Sequence, residues 1–580
     1  MPSLDDLARP HLVVRLGDGT VHERAVAGPG SHEVGPLVVE VSERPDGWAW
    51  RVGVPGGRPV AVTSVALAWD AGPAGDDPRL FSNGYQSWTS SRVRRLGVDL
   101  DPSNVATVPS LVRETHHADP AEALEGELRS ELVTVVATDR IGDPLLLVGF
   151  VSGTEHDGTI RARLDGGSVA LTAEAYLGGA VLGAGEVRDL HPVVLAAGDG
   201  APELLADWAA AAGAAGGARV GAPFQVGWCS WYQWFHTITE AALLANLALA
   251  DDWPFDVFQL DDGFQHAIGD WERTEPSFPS GIAAVAATIA AAGRTPGLWL
   301  APFLAAPTSD VAGAHPDWIV RHASGRPLVG MVNEQWGGHV HVLDTTRPEV
   351  LDHLEATAAA LVGAGYPYLK LDFTYAPSIT GRYADPSQTP AQRVRAGMEA
   401  VRRGAGDDTF LLGCGLPVGA GIGVVDGMRI GADVAPHWDL RPGQYAPGGY
   451  AENEPATVNA FRNTLTRSWM HRRLWLNDPD CLMLRTADTG LTPGEVRAWA
   501  LTVASSGGMA LVSDDLALLD AGDRRLLEDV VRLGRPVDEA SLDGPPPRCR
   551  DVLESPTPKV LQGEGWALEV DVDPVSSAFR

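Results

Sequence analysis

Residues 347–373 read RPEVLDHLEATAAALVGAGYPYLKLDF, an Ala- and Leu-rich helical stretch that passes through glycine into a short apolar run. That run, YPYLKLDF, has the length and character of a buried β-strand, and residues two apart on it share a face. A helix that feeds a buried strand is half of a β/α unit. From Phe224 onward the pattern repeats, with eight apolar runs: FQVGWCSW, FDVFQLDDG, TPGLWLAPF, YPYLKLDF, TFLLGCG, GMRIGAD, RLWLNDPD and GMALVSD. Helical stretches such as TEAALLANLALA and GIAAVAATIAAAG lie between them. Eight units over about 290 residues predict a (β/α)8 TIM barrel. No Gly-x-Gly-x-x-Gly turn follows the first run, which disfavours a doubly wound sheet.

Upstream, HLVVRL, LVVEVSE, WAWRVGV, VTSVALAW, ELVTVVAT, PLLLVGFV and SVALTAEAYL are short β-rich segments separated by Gly, Pro and Asp turns, the spacing of an antiparallel sandwich. An Ala/Gly-rich stretch at 206–223 reads as a helix entering a linker. The final segment holds PPP and the alternating WALEVDVD, which suits a small β-domain that needs support from the barrel. The expected organisation is an N-terminal β-domain (1–218), a catalytic barrel (219–517) and a C-terminal β-domain (518–580).

A net charge of −31 disfavours nucleic acid and anionic membranes as partners. The N-terminal stretch lacks a basic region followed by an apolar run, and no apolar segment of about 20 residues is present, so a cytoplasmic protein is expected. The four cysteines are scattered, which argues against a disulfide framework or a zinc cluster. His339 and His341 share a strand face in HVHV without an evident third ligand, so a metal site is not expected.

Barrel active sites are built at the C-terminal ends of the strands. Here those ends carry Asp261 and Asp262, Lys370 and Asp372, Cys414, Arg429 and Asp433, and Asn477 to Asp480, with Trp228, Trp231 and Trp299 nearby. A single strand-end aspartate often caps the next helix. Several at successive ends point to one mouth. Lys370 stands out because the 44 basic residues include only two lysines, Lys370 and Lys559. On one face with Asp372 it suits either a structural ion pair or a cation that keeps the carboxylate ionised. Arg429 and Asp433 are four apart and need not touch. Two carboxylates on separate strand ends, with cations and aromatic plates, suit glycoside hydrolysis. Cys414 as a nucleophile is the weaker reading, since a buried thiol is commoner.

These runs, in order, together with LLGCGLPVGAGIGVVDGMRIGADVAPHW and the upstream NGYQSW, resemble the α-galactosidases of glycoside hydrolase family 36, nearest to the shorter bacterial and thermophile type. The resemblance implies an N-terminal β-supersandwich, a catalytic barrel and a small C-terminal β-sandwich, with no cofactor. It implies a retaining hydrolysis of terminal α-galactosyl residues from small galactosides such as melibiose or raffinose. On its motifs Asp372 is the nucleophile and Asp433 the acid/base. Asp261 and Asp262 hold the axial 4-hydroxyl and the 6-hydroxyl. Lys370 binds the 3- and 4-hydroxyls, and Cys414 and Arg429 lie near the 2-hydroxyl. Trp231 and Trp299 line the ring pocket, and Trp88 reaches over from the N-terminal domain. Phenylalanine in DDGFQ and tyrosine in NGYQSW stand where many members carry tryptophan, which bears on aglycone preference. Galactosyl transfer of the raffinose-synthase kind, a different sugar specificity and a non-enzymatic galactoside-binding protein are the alternatives. Cys414 argues against a bulky 2-substituent.

Overall fold

The computed structural model describes residues 10–26, 28–101, 125–140, 142–441 and 449–570. All eight apolar runs become parallel strands: β1 (Val226–Cys229), β2 (Val257–Leu260), β3 (Thr295–Leu300), β4 (Tyr368–Leu371), β5 (Phe410–Gly413), β6 (Gly427–Arg429), β7 (Leu476–Asp478) and β8 (Ala510–Val512). Their order in the sheet is β7-β6-β5-β4-β3-β2-β1-β8. The ring is drawn together between its ends by Met509 N–H donating to Asn477 O (2.9 Å) and by a parallel bridge from Leu482 to Val512. Every residue of these strands except Thr295 is buried, which is why they read as unbroken apolar runs and not as alternating ones.

The helices between the strands carry their own start signals. Thr389 and Thr492 each cap a helix whose first residue is proline, and each forms a reciprocal capping box, with Gln392 and Glu495 respectively. Between β3 and β4 the chain makes an excursion that contains a three-stranded antiparallel sheet (Leu304–Ala305, Val329–Asn333, Gly338–Val342). The HVHV motif lies on it, with His339 exposed and His341 half-buried.

The N-terminal part forms a six-stranded and an eight-stranded sheet, antiparallel throughout. They approach closely at Gly158 on the first sheet, where a Cβ would lie 2.6 Å from the Phe150 ring on the second. The loop 83–91 leaves this domain and lies against the barrel.

Beyond β8, a 23-residue helix, Ala521–Asp543, packs against the helix Pro493–Ser506. Asp538 on it accepts from both arms of Arg472 (2.7 Å each) and lies 3.0 Å from His471, while Arg472 also donates to Val220 O and Ala222 O in the interdomain linker. The C-terminal sheet (Arg548–Cys549, Val560–Gly563, Trp566–Glu569) follows, and the last residues of WALEVDVD lie outside the described residues. Its first strand touches the barrel at the turn Ser468–Met470 and the helix Thr457–Thr466, as expected, and it has further support from the N-terminal side. Arg550 pairs with Glu203 (2.6 Å) on the helix Ala201–Gly216, and Glu554 pairs with Arg79 (3.1 Å) of the eight-stranded sheet. The connector from N-terminal domain to barrel is therefore also the cradle of the C-terminal segment.

Candidate active site

Three clusters of charge meet at the C-terminal ends of the barrel strands. The first is centred on Asp261, just beyond β2. Lys370 Nζ on β4 donates to Asp261 Oδ2 at 2.9 Å, and Gln259 Nε2 donates to the same oxygen at 2.6 Å. Asp261 is 1% and Lys370 5% exposed, so the pair is shielded from water. Burial alone would pull the lysine down, but the charges of Asp261 and Asp372 outweigh it and hold the ammonium protonated well above its usual range. The lysine therefore pairs with a residue 109 positions away and not with Asp372 two residues on. Alternation places Lys370 and Asp372 on one face, but the end of β2, two strands away across β3, supplies the nearer carboxylate.

Asp372, 7% exposed, is fixed through both oxygens: Oδ2 accepts from Trp299 Nε1 (2.9 Å) and Oδ1 from the Phe373 N–H (2.9 Å). Phe373 takes φ +53°, the left-handed turn that swings its amide towards the carboxylate. Trp299 packs in turn against Trp271 and Trp336. Asp262 accepts from Gln265 Nε2 (2.5 Å) and from Trp336 Nε1 (2.9 Å). Burial raises its carboxyl to about 6.

The second cluster is a clamp on Arg429, which is 3% exposed. Its Nη1 meets Asp433 Oδ1 (2.9 Å), Nε meets Asp478 Oδ2 (3.1 Å) and Nη2 meets Asp480 Oδ1 (2.8 Å). Contact with Asp433 settles what the spacing left open: β6 stops at Arg429, and the bend that follows returns the aspartate to the guanidinium. Asp433 differs from Asp372 in access, its side chain being 35% exposed. Burial pushes Asp433 above the usual carboxylate range, Arg429 and Lys370 oppose it, and the Asp372 charge adds to the rise. Burial also raises Asp480, to about 6. Tyr232 donates its hydroxyl to Asp480, which shares the Arg429 clamp with Asp433.

The third element is the loop 83–91. Trp88 Nε1 donates to Cys414 Sγ (3.2 Å), and its ring lies edge-on to Phe373 at 5.0 Å. Burial raises the Cys414 thiol well above its ordinary range, so it stays protonated and is no nucleophile. The loop is bolted to the barrel. Arg467, with no exposed surface, donates to Asn83 Oδ1, Ser91 Oγ and the carbonyls of Gly84, Gln86 and Ser87, and also to Ile430 O beside Arg429. Glu452 adds pairs to Arg92 and Arg94.

Asp261, Asp262, Lys370, Asp372, Cys414, Arg429, Asp433, Trp299 and Trp88 are thus linked by these contacts. Trp231 sits on the short helix Trp231–Trp234, half-buried and edge-on to Phe235. Trp228 belongs to the barrel wall, fully buried, stacked on Phe258 and donating to Asp514 O. Sequence reasoning missed Gln259, Tyr232 and Trp336 and gave Asp478 and Asp480 no role. Gln259 stands two before Asp261 and was readable from the alternation; Trp336 arrives on the excursion, where no local signal marks it.

The melibiase family model matches residues 228–398. A curated α-galactosidase from Geobacillus stearothermophilus, AgaA, is 26% identical over 151 residues, 25% of this chain and 20% of that protein. An Escherichia coli α-galactosidase is 28% identical over 113 residues, 18% of this chain and 15% of its own. The matched segments thus span a fifth or less of these curated relatives. The structure of TtGalA, a Thermus thermophilus α-galactosidase in complex with p-nitrophenyl α-D-galactopyranoside, superposes with a TM-score of 0.68 at 26% identity, covering 97% of this chain and 99% of that one. The matched segment holds β1 to β4 with Asp261, Asp262, Lys370 and Asp372, and the likeness in fold runs almost end to end. Residues 228–398 thus carry the likeness to the melibiase family, and the chain as a whole is similar in fold to α-galactosidases of glycoside hydrolase family 36.

Proposed function

We propose that the protein is a retaining α-galactosidase that hydrolyses terminal α-galactosyl residues of small galactosides. The observation that carries this reading is the contrast between two carboxyl groups at one mouth. Asp372 is buried, held through both oxygens and beside an ammonium, whereas Asp433 is one-third exposed and raised towards the protonated form.

A nucleophile must be ionised, oriented and stripped of water. Trp299 and the Phe373 amide orient Asp372. Asp372 attacks the anomeric carbon as the glycosidic bond breaks. Asp433 gives its proton to the departing oxygen and then takes one from water, which releases galactose with its configuration retained. The Arg429 clamp keeps Asp433 in place while the raised carboxyl retains the proton it must donate. This chemistry requires the two carboxyl groups to lie about 5 to 5.5 Å apart. Asp261 and Asp262, aligned by Lys370, Gln259, Gln265 and Trp336, are the acceptors for sugar hydroxyls at the closed end. The apolar face of the ring rests on the Trp299 side. Trp88 covers it from the N-terminal domain, and no cofactor is called for.

The cysteines at 229, 414, 481 and 549 are free thiols, which supports the reading of a cytoplasmic enzyme. Among the described residues no helix is long and apolar enough to cross a membrane.

Release of nitrophenol from p-nitrophenyl α-galactoside, with the α-anomer of galactose as first product by NMR, tests the reading. Asp372→Asn is expected to remove at least about 10³-fold of kcat. A first product in the β-configuration, or an Asp372→Asn variant with wild-type turnover, refutes it.

A further inference from the structure

Phe235 is the one aromatic ring among the exposed large apolar side chains of the described residues, at 40% exposure. It stands at φ +49°, ψ −142°, a conformation that a residue with a β-carbon adopts only under constraint. The constraint comes from both sides. The preceding turn is pinned by Tyr232 N–H donating to Ser513 Oγ (2.8 Å) and by Arg485 donating to Tyr232 O (3.2 Å). The following residue, His236, lies against Gly263, where a Cβ would come within 2.9 Å of the His236 carbonyl oxygen. The strained backbone at Phe235 is thus held between the pinned turn before it and the Asp261-Asp262-Gly263 turn that His236 meets.

Its neighbours fix which part of the mouth it serves. The Phe235 ring is edge-on to Tyr232 (6.4 Å), and the Tyr232 hydroxyl donates to Asp480, which shares the Arg429 guanidinium with Asp433. Trp231 backs it edge-on from 5.1 Å. Phe235 therefore lies on the side of the carboxyl group assigned above to protonate the leaving oxygen, where the leaving group must be. The other mouth rings are committed: Trp299 to Asp372, Trp336 to Asp262 and Trp88 to Cys414.

We propose that Phe235, backed by Trp231, is the platform on which the leaving-group sugar stacks, so that the favoured substrates are α-galactosides whose aglycone is a second pyranose ring. This rests on the α-galactosidase reading and deepens it. A flat apolar ring, half open to water, offers the C–H face of a pyranose a partner that needs no hydrogen bond. The strain keeps the ring at the mouth instead of letting it fold into the core.

The test compares two donors that share the galactosyl group. Melibiose carries a pyranose aglycone, whereas α-galactosyl fluoride carries none and needs no proton to depart. Phe235→Ala, and Phe235→Gly, which accepts a positive φ without strain, are expected to lower kcat/KM for melibiose about tenfold. For the fluoride the change is expected to stay under about twofold, and Phe235→Trp is expected to restore melibiose to within about threefold. Equal losses on both donors, or undiminished melibiose activity in both variants, overturn the proposal. A wild-type enzyme that consumes neither donor overturns the α-galactosidase reading beneath it.

Discussion

Replacing Arg467 by lysine preserves the charge and, on the structure, still breaks the support of Trp88. The guanidinium is fully buried with no carboxylate among its hydrogen-bond acceptors, and burial lowers its pKa to about 9. Keeping a cation there costs on the order of 5 kcal/mol relative to water, since each pKa unit is about 1.4 kcal/mol. Hydrogen bonds must offset that cost. The side chain serves six acceptors, five of them on residues 83–91. An ammonium has three donors and the same burial to overcome, so at least three acceptors are left. Bonds to a charged group contribute about 1.5 kcal/mol each at the low end, which sets the loss at about 4 to 5 kcal/mol. At about 2 °C per kcal/mol, tryptophan-monitored thermal unfolding should fall by about 8 °C. KM for p-nitrophenyl α-galactoside should rise as the loop that carries Trp88 loosens. An Arg467→Lys protein within about 1 kcal/mol of the wild type, with unchanged KM, would refute the argument.

Partial burial and the Asp372 charge hold Asp433 above the usual carboxylate range, so kcat/KM should fall as pH rises through its pKa and the donated proton is lost. Asp433→Asn should erase that alkaline limb in a pH profile and should slow melibiose far more than α-galactosyl fluoride, which needs no acid. For Asp262 the folded pKa of about 6 exceeds its ordinary value of 3.8, so the native state binds the extra proton between those values. Stability should therefore decline from about pH 4 to pH 6 by up to about 3 kcal/mol and then level. Asp262→Asn should flatten that decline in urea titrations at each pH; an unchanged slope would show that another group is responsible.

The barrel was legible because strands buried on both faces announce themselves as continuous apolar runs, and all eight do so here. The strand-end rule then gathers Asp261, Asp262, Lys370, Asp372, Arg429 and Asp433 before any contact is known. Pairing was less legible. Period-two alternation brings Lys370 and Asp372 to one face, yet cannot show that Asp261, two strands away at the end of β2, lies closer to the ammonium. Spacing also left Arg429 and Asp433 undecided, since a four-residue gap means different things on a straight strand and across the bend after a three-residue one. Trp336 depends on the long excursion between β3 and β4, whose fold has no periodic signature. Phe235 depends on backbone strain that side-chain patterning does not record.

The scarcity of lysine has a practical side. Of the two side-chain amines, Lys370 is sealed under the pocket with 5% of its surface open, whereas Lys559 stands exposed beside the C-terminal sheet. Acylating reagents and aldehyde surfaces that modify amines at random in most enzymes would thus find one accessible lysine, on a different sheet from the galactosyl pocket. Among the side-chain amines, Lys559 is thus the one open to attachment, and immobilisation through it leaves Lys370 untouched.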